Sequence, residues 1–96
     1  MINSKQRKHL KSLANTMEVK VIIGKNSVSE TVLKQIDDTL NANELVKVKI
    51  LNNNLDDHDE IVSYIIDQLD CEFVSHLGNK FVIYRESEDK IINLPK

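Results

Sequence analysis

Residues 19–23 form a short, nearly continuous β-branched run that ends at Gly24, and this run sets the framework of the fold. Such a run is typical of a strand buried on both faces, so we expect it at the centre of a sheet. Ser29 is a suitable N-cap for a following helix with Ile36 and Leu40 on its apolar face. The sequence therefore predicts a strand, a loop and a helix in direct succession.

The rest of the chain adds two amphipathic helices and three strands. Helical spacing of apolar residues predicts a first helix from about Ser4 to Asn15 and a third helix over residues 61–69. Alternation predicts a strand over residues 45–51, with one face packed and the other presenting lysines. Two further runs meet at Gly78-Asn79, a dipeptide that permits a tight antiparallel hairpin. The order α-β-α-β-α-β-β predicts an α/β two-layer sandwich with a four-stranded mixed sheet.

The size and composition of the chain fit one domain over residues 1–96, with a tail, residues 86–96, that packs loosely on it. The single cysteine, Cys71, cannot form an internal disulfide, which favours a reducing, cytoplasmic setting. The N-terminus has no apolar segment typical of a signal peptide, and no run of about 18 apolar residues follows. We therefore expect a cytoplasmic monomer that does not span a membrane.

The formal net charge of −2 argues at first against a partner made of phosphates, but the charges are unevenly distributed. Residues 1–29 carry six basic residues against Glu18, which gives +5, and residues 51–72 carry seven acidic and no basic residues. Exposed charges further apart than about 8 Å are largely screened at physiological salt, so a basic face can bind anions whatever the far side carries.

The loop that begins at Gly24 is the first candidate for such binding. It lies between a predicted strand and a predicted helix N-terminus, where glycine permits close approach of a ligand and backbone N–H groups favour a phosphate. A glycine at such a turn more often has a purely steric role. The motif also lacks the features of a nucleotide-binding P-loop. The predicted anion-binding residues are Gly24, Lys25, Asn26, Ser27, Lys5, Arg7, Lys8, Lys11, Lys47, Lys49 and Arg85.

No catalytic, cofactor or metal site is predicted. Four of the five residues 56–60 are acidic, but their spacing fits capping of the third helix better than metal binding. The histidines His9, His58 and His76 are scattered, and none is paired with a nucleophile. Few aromatic residues are present, so if RNA is bound, its phosphate backbone and shape are the expected targets rather than splayed bases.

Several stretches together resemble the CRM domain family (chloroplast RNA splicing and ribosome maturation), in particular its stand-alone bacterial, YhbY-like branch. They extend over almost the whole chain in the family's order. They are Lys5-Gln6-Arg7 with Leu10 and Leu13-Ala14, Ile23-Gly24-Lys25-Asn26, Glu44-Leu45-Val46-Lys47-Val48, Gly78-Asn79 through Tyr84-Arg85, and Leu94-Pro95.

The resemblance implies a fold similar to the C-terminal domain of translation initiation factor three. It also implies a non-enzymatic protein that binds ribosomal RNA in precursor large ribosomal subunits. The family's RNA-contact element is a GxxG loop, and here Ser27 replaces its second glycine. The alternative is a protein-interaction adaptor that docks a basic ribosomal protein through the acidic third helix.

Overall fold

The computed structural model describes residues 2–24, 28–51 and 57–95, and its elements follow the predicted order. They are α1 (Ser4–Ala14), β1 (Val21–Ile23), α2 (Glu30–Asn43), β2 (Leu45–Ile50), α3 (His58–Leu69), β3 (Glu72–Leu77) and β4 (Lys80–Tyr84). The four strands form one sheet in the order β1-β2-β4-β3. Only β1 and β2 are parallel, so the predicted α/β class and mixed sheet are confirmed.

Each helix begins where a polar side chain satisfies its first backbone N–H groups. Asn3 and Gln6 form the predicted capping box of α1, with reciprocal hydrogen bonds of 2.8 and 2.9 Å. Ser29 Oγ accepts from Val32 N at the start of α2. Asp57 Oδ1 accepts from Asp59 N at 2.8 Å at the start of α3, which confirms the predicted N-capping role of the acidic segment.

The helices are divided between the two faces of the sheet, a detail that the prediction of two layers did not include. Helices α2 and α3 cover one face, where Ile36, Ile65 and Phe81 are fully buried. Helix α1 covers part of the other face, where Leu10 packs with Val82 and the C-terminal tail. The sheet thus has one face whose residues from β1, β2 and β4 are buried and one that is only partly covered.

The prediction that the first strand is central and buried on both faces is wrong. Strand β1 lies at the edge of the sheet and pairs only with β2. Val21 and Ile23 are buried against α2 and α3, but Ile22 points to the other face and is 54% exposed. A continuous apolar run fits a buried strand, but the coverage of its second face depends on where α1 packs.

The tail after β4 is held by specific hydrogen bonds, which the prediction of loose packing did not include. The buried carboxylate of Glu44 accepts from Ser87 N and Ile92 N, each at 2.6 Å. Gln6 Nε2 donates to Pro95 O at 3.0 Å. The tail therefore closes the core beneath α1 at one end of the sheet.

Candidate nucleic-acid interface

The partly covered face of the sheet carries a basic groove beside the C-terminal end of α1. The groove has a volume of about 460 Å³, and Lys11, Lys47 and Lys80 contribute to its lining, with Val74 and Val82 at its floor. Its walls come from α1, β2, β3 and β4. Lysine side chains from three different elements thus converge on one concavity.

Strand register explains how these lysines reach one face. Lys49 of β2 is the cross-strand partner of Lys80 of β4, and directly opposed residues in an antiparallel pair share a face. Adjacent residues of a strand point to opposite faces of the sheet. Because Phe81 is buried against α2 and α3, its neighbour Lys80 points to the face on which α1 lies. Within the described ranges 2–24, 28–51 and 57–95, no carboxylate forms an ion pair with Lys11, Lys49 or Lys80. Their positive charges are available to an anion.

Lys47 differs from the expectation that it faces solvent beside Lys49. It is half-buried under the end of α1, where its Nζ donates to Ala14 O at 3.3 Å and to Met17 O at 3.4 Å. An ammonium group at a helix C-terminus satisfies unpaired carbonyls and interacts favourably with the helix dipole. Lys47 therefore joins α1 to the sheet at the edge of the groove.

Arg85 is occupied by contacts within the protein, so we remove it from the candidate RNA-binding residues. Its Nη1 lies 2.9 Å from Asp37 Oδ1 and donates to Leu69 O, and its Nη2 donates to Asp37 O and Asn41 Oδ1. These contacts use the Nη donors of the guanidinium to link α2 and the end of α3 to β4. Its sequence position beside Tyr84 gave no sign of these partners.

The outer surface of α1 supplies further positive charge. Lys5, Lys8 and Lys11 are exposed, as the helical spacing predicts. Arg7 is half-buried instead, and its Nε donates to Phe73 O of β3 at 3.0 Å. Three of the four basic residues of α1 thus remain directed to solvent, and the fourth anchors the helix.

Gly24 directly follows β1, at the end of the sheet where Lys49 and Lys80 lie. Backbone bonds from Leu51 N to Ile23 O and from Ile50 N to Asn79 O bring the ends of β1 and β2 and the hairpin turn together. A Cβ atom added to Gly24 has no neighbour within 4 Å, and its φ lies outside the left-handed region. Neither crowding by the described residues nor positive φ accounts for glycine here. The other predicted loop residues, Lys25, Asn26 and Ser27, lie outside the described residues.

Sequence reasoning missed Lys80, which the hairpin places in the lining of the groove. The signal was available, because Lys80 directly follows the Gly78-Asn79 turn, and the two-residue period of a strand places it on the face opposite Phe81. Gly78 has φ +61°, while Asn79 has no positive φ, as in a type II′ turn. This turn fixes the register that sets Lys80 opposite Leu77.

The structure brings together two histidines that the sequence left scattered. The rings of His58 and His76 lie 6.2 Å apart, and His76 Nδ1 lies 3.2 Å from Asp59 Oδ1. No nucleophile completes this cluster among the described residues, and no group of three metal-ligating side chains occurs there. Burial raises the pKa of the Cys71 thiol to about 11, so this cysteine is protonated and unreactive at neutral pH.

No helix in the described part of the chain is both long and apolar enough to cross a bilayer.

The comparisons with known proteins agree with a nucleic-acid interface. The family model described as the CRS1 / YhbY (CRM) domain matches residues 2–85. The "Probable RNA-binding protein YqeI" of Bacillus subtilis is 34% identical over 96 residues, and the match covers 99% of this chain and 100% of the relative's length. An "RNA-binding protein" of Haemophilus influenzae is 34% identical over 95 residues, covering 99% of this chain and 96% of its own.

A solved structure shows the same fold. The solution structure of the Staphylococcus aureus protein SAV1595, proposed to be an RNA-binding protein, superposes with a TM-score of 0.83 at 44% sequence identity. The match covers 99% of this chain and 100% of that protein. The similarity therefore extends over nearly the whole chain.

Proposed function

The chain belongs to the CRS1 / YhbY (CRM) domain family of RNA-binding proteins, and we propose that it binds ribosomal RNA in precursors of the large ribosomal subunit. In this proposal the protein acts in the cytoplasm as a monomeric, single-domain, non-enzymatic factor during ribosome assembly. The RNA phosphates lie on the lysines of the groove, on the outer surface of α1 and on the loop over residues 24–27.

One observation carries the proposal: Lys11, Lys49 and Lys80 converge on the partly covered face of the sheet without a carboxylate partner among the described residues. Unpaired lysines on one face are the electrostatic footprint of a phosphate-binding surface. Gly24, which directly follows β1, lies at the open end of this surface. No described residue gives a steric reason for glycine at this position, which supports a role in close approach to the RNA backbone.

The charge reversal Lys25→Glu tests the loop, with Lys34→Glu as the matched control. Lys34 lies on α2, away from the groove, and its side chain is 77% exposed. We expect Lys25→Glu to weaken binding to ribosomal RNA and to precursor particles. Each lost phosphate contact lowers the slope of log affinity against log salt by about 0.9 on duplex and about 0.7 on single strands. Lys34→Glu should bind like the wild type.

Unchanged affinity of Lys25→Glu across a salt series would refute the role of the loop. The ribosomal part of the proposal is tested separately, by comparing binding to precursor particles, mature large subunits and an unrelated RNA of equal length. Equal affinity for all three would refute association with precursors while leaving RNA binding intact.

The adaptor alternative has less support from the structure. Asp57 is used to cap α3, and Asp59 contacts His76, so two of the acidic residues have roles within the protein. Charge reversal at Asp59 and Glu60 should leave binding to free RNA unchanged. Loss of particle binding in that variant would favour docking of a basic protein instead.

A further inference from the structure

We propose that a row of four residues across the open end of the sheet holds a single strand of RNA, with lysines under its phosphates and apolar side chains beside them. This row, called the sheet row, consists of Ile22, Lys49, Lys80 and Leu77. The inference rests on the proposed RNA-binding function and specifies the form of RNA bound at that site.

Register places the four residues side by side on one face. Ile22 pairs with Lys49, Lys49 pairs with Lys80, and Lys80 pairs with Leu77, so the row has one residue from every strand. Neighbouring strands are about 4.8 Å apart, so the row spans about 14 Å. Ile22 is 54% exposed and Leu77 is 85% exposed, although both are large apolar side chains.

The order of charge along the sheet row determines which RNA form fits it. The two lysines are central and an apolar side chain lies on each side. One RNA strand has a single line of phosphates with sugars and bases beside it, which matches this order. A duplex is recognised across its minor groove, where sugar hydroxyls lie between two lines of phosphates, so a central positive stripe does not match it.

The apolar ends of the row are held in place by the backbone. The tight turn at Gly78 fixes the register of Leu77, and Ile50 N donates to Asn79 O at 2.7 Å, which ties the hairpin to β2. His76 Nε2 lies 3.1 Å from Gly78 O within the same turn. Leu77 is therefore presented at a fixed position, so it can pack against a sugar or base without first being ordered.

The test compares binding of a short unstructured RNA, a perfect duplex of the same sequence, and a hairpin with that sequence in its loop. The variant carries Ile22→Ser and Leu77→Ser together, and the control is Ile91→Ser, a 53% exposed apolar residue in the tail. We expect the double variant to lose about tenfold in affinity for the single strand and the hairpin loop, with an unchanged salt slope. Ile91→Ser should bind like the wild type.

Two results would overturn the inference. One is wild-type protein that binds the duplex as tightly as the single strand. The other is a double serine variant that is folded, as its thermal melt shows, and still binds single-stranded RNA like the wild type. The sheet row would then contact a protein partner or no partner at all. Absence of RNA binding by the wild type would instead refute the proposed function itself.

Discussion

The carboxylate of Glu44 is fully buried, and the change Glu44→Gln measures how strongly it holds the C-terminal tail. Its Oε2 accepts from Ser87 N at 2.6 Å and Ser87 Oγ at 2.9 Å, and its Oε1 accepts from Ile92 N at 2.6 Å. Glutamine keeps one acceptor but turns an NH₂ group toward Ser87 N–H, so a donor faces a donor. A hydrogen bond to a charged group contributes about 1.5–3 kcal/mol, and we expect a loss of about 2 kcal/mol in unfolding free energy.

Urea unfolding monitored by circular dichroism measures this loss directly. For a domain of this size, the same loss lowers the melting temperature by about 8–16 °C. The control Ser87→Ala removes only the hydroxyl bond to Glu44 and should cost about 1 kcal/mol. A loss below about 0.5 kcal/mol for Glu44→Gln would refute the anchoring role of the carboxylate.

The pH dependence of stability gives a second readout of the same residue. Burial alone would raise the pKa of Glu44, but hydrogen bonds from Ser87 and Ile92 outweigh it and lower the pKa below its ordinary value of 4.5. The carboxylate therefore stabilises the folded protein above pH 4.5, and this contribution is lost as pH falls through the folded pKa. The stability difference between wild type and Glu44→Gln should shrink on acidification. A constant difference would contradict this reasoning.

Three further predictions concern residues outside the groove. Arg85→Ala should cost about 2 kcal/mol in urea unfolding because its hydrogen bonds to α2 and α3 are lost, while RNA affinity and its salt slope stay unchanged; weaker RNA binding by the folded variant would return Arg85 to the interface. Cys71, whose pKa burial raises to about 11, should react slowly with a thiol reagent when native and rapidly in urea, and stability should fall as pH rises above 9.0, the ordinary pKa of the thiol. Gly78→Ala should cost about 1 kcal/mol because Gly78 has φ +61°, whereas Gly24→Ala should leave stability nearly unchanged and weaken RNA binding; equal stability losses would contradict the distinction.

The parts of the fold that local chemistry determines were predictable from the sequence. Asn3, Ser29 and Asp57 each cap a helix through side chains within three residues, and the Gly78 hairpin depends on one dipeptide. The edge position of β1 was not predictable in this way. Its exposure depends on which part of the sheet α1 leaves uncovered, and residues distant in sequence decide that.

The candidate interface shows the same division. The exposed lysines of α1 follow from helical spacing, because exposure on a helix face is a local property. Lys47 and Arg85 differ, because each donates to carbonyl groups of elements that are distant in the chain. A lysine or arginine in a sequence indicates a charge, but its availability depends on whether the fold places unpaired carbonyls beside it.

One end of the partly covered face holds contacts that stabilise the fold, and the other carries the lysines of the sheet row. Because the two sets of residues are separate, the proposed interface can be tested without unfolding the protein. At one end, neighbouring strands pair through Leu45, Tyr84 and Glu72. The tail covers this end, and Ile2 N donates a hydrogen bond of 2.8 Å to Glu72 Oε1. At the other end, Lys49 and Lys80 are partners in the open sheet row, and no described hydrogen bond depends on their ammonium groups. Because the contacts that hold the fold and the charges proposed to bind RNA lie in different rows of the sheet, substitution of these lysines should change affinity without unfolding the protein. Additive effects of a lysine change and Glu44→Gln on stability would support this separation, since sites without shared partners add within about 0.5 kcal/mol.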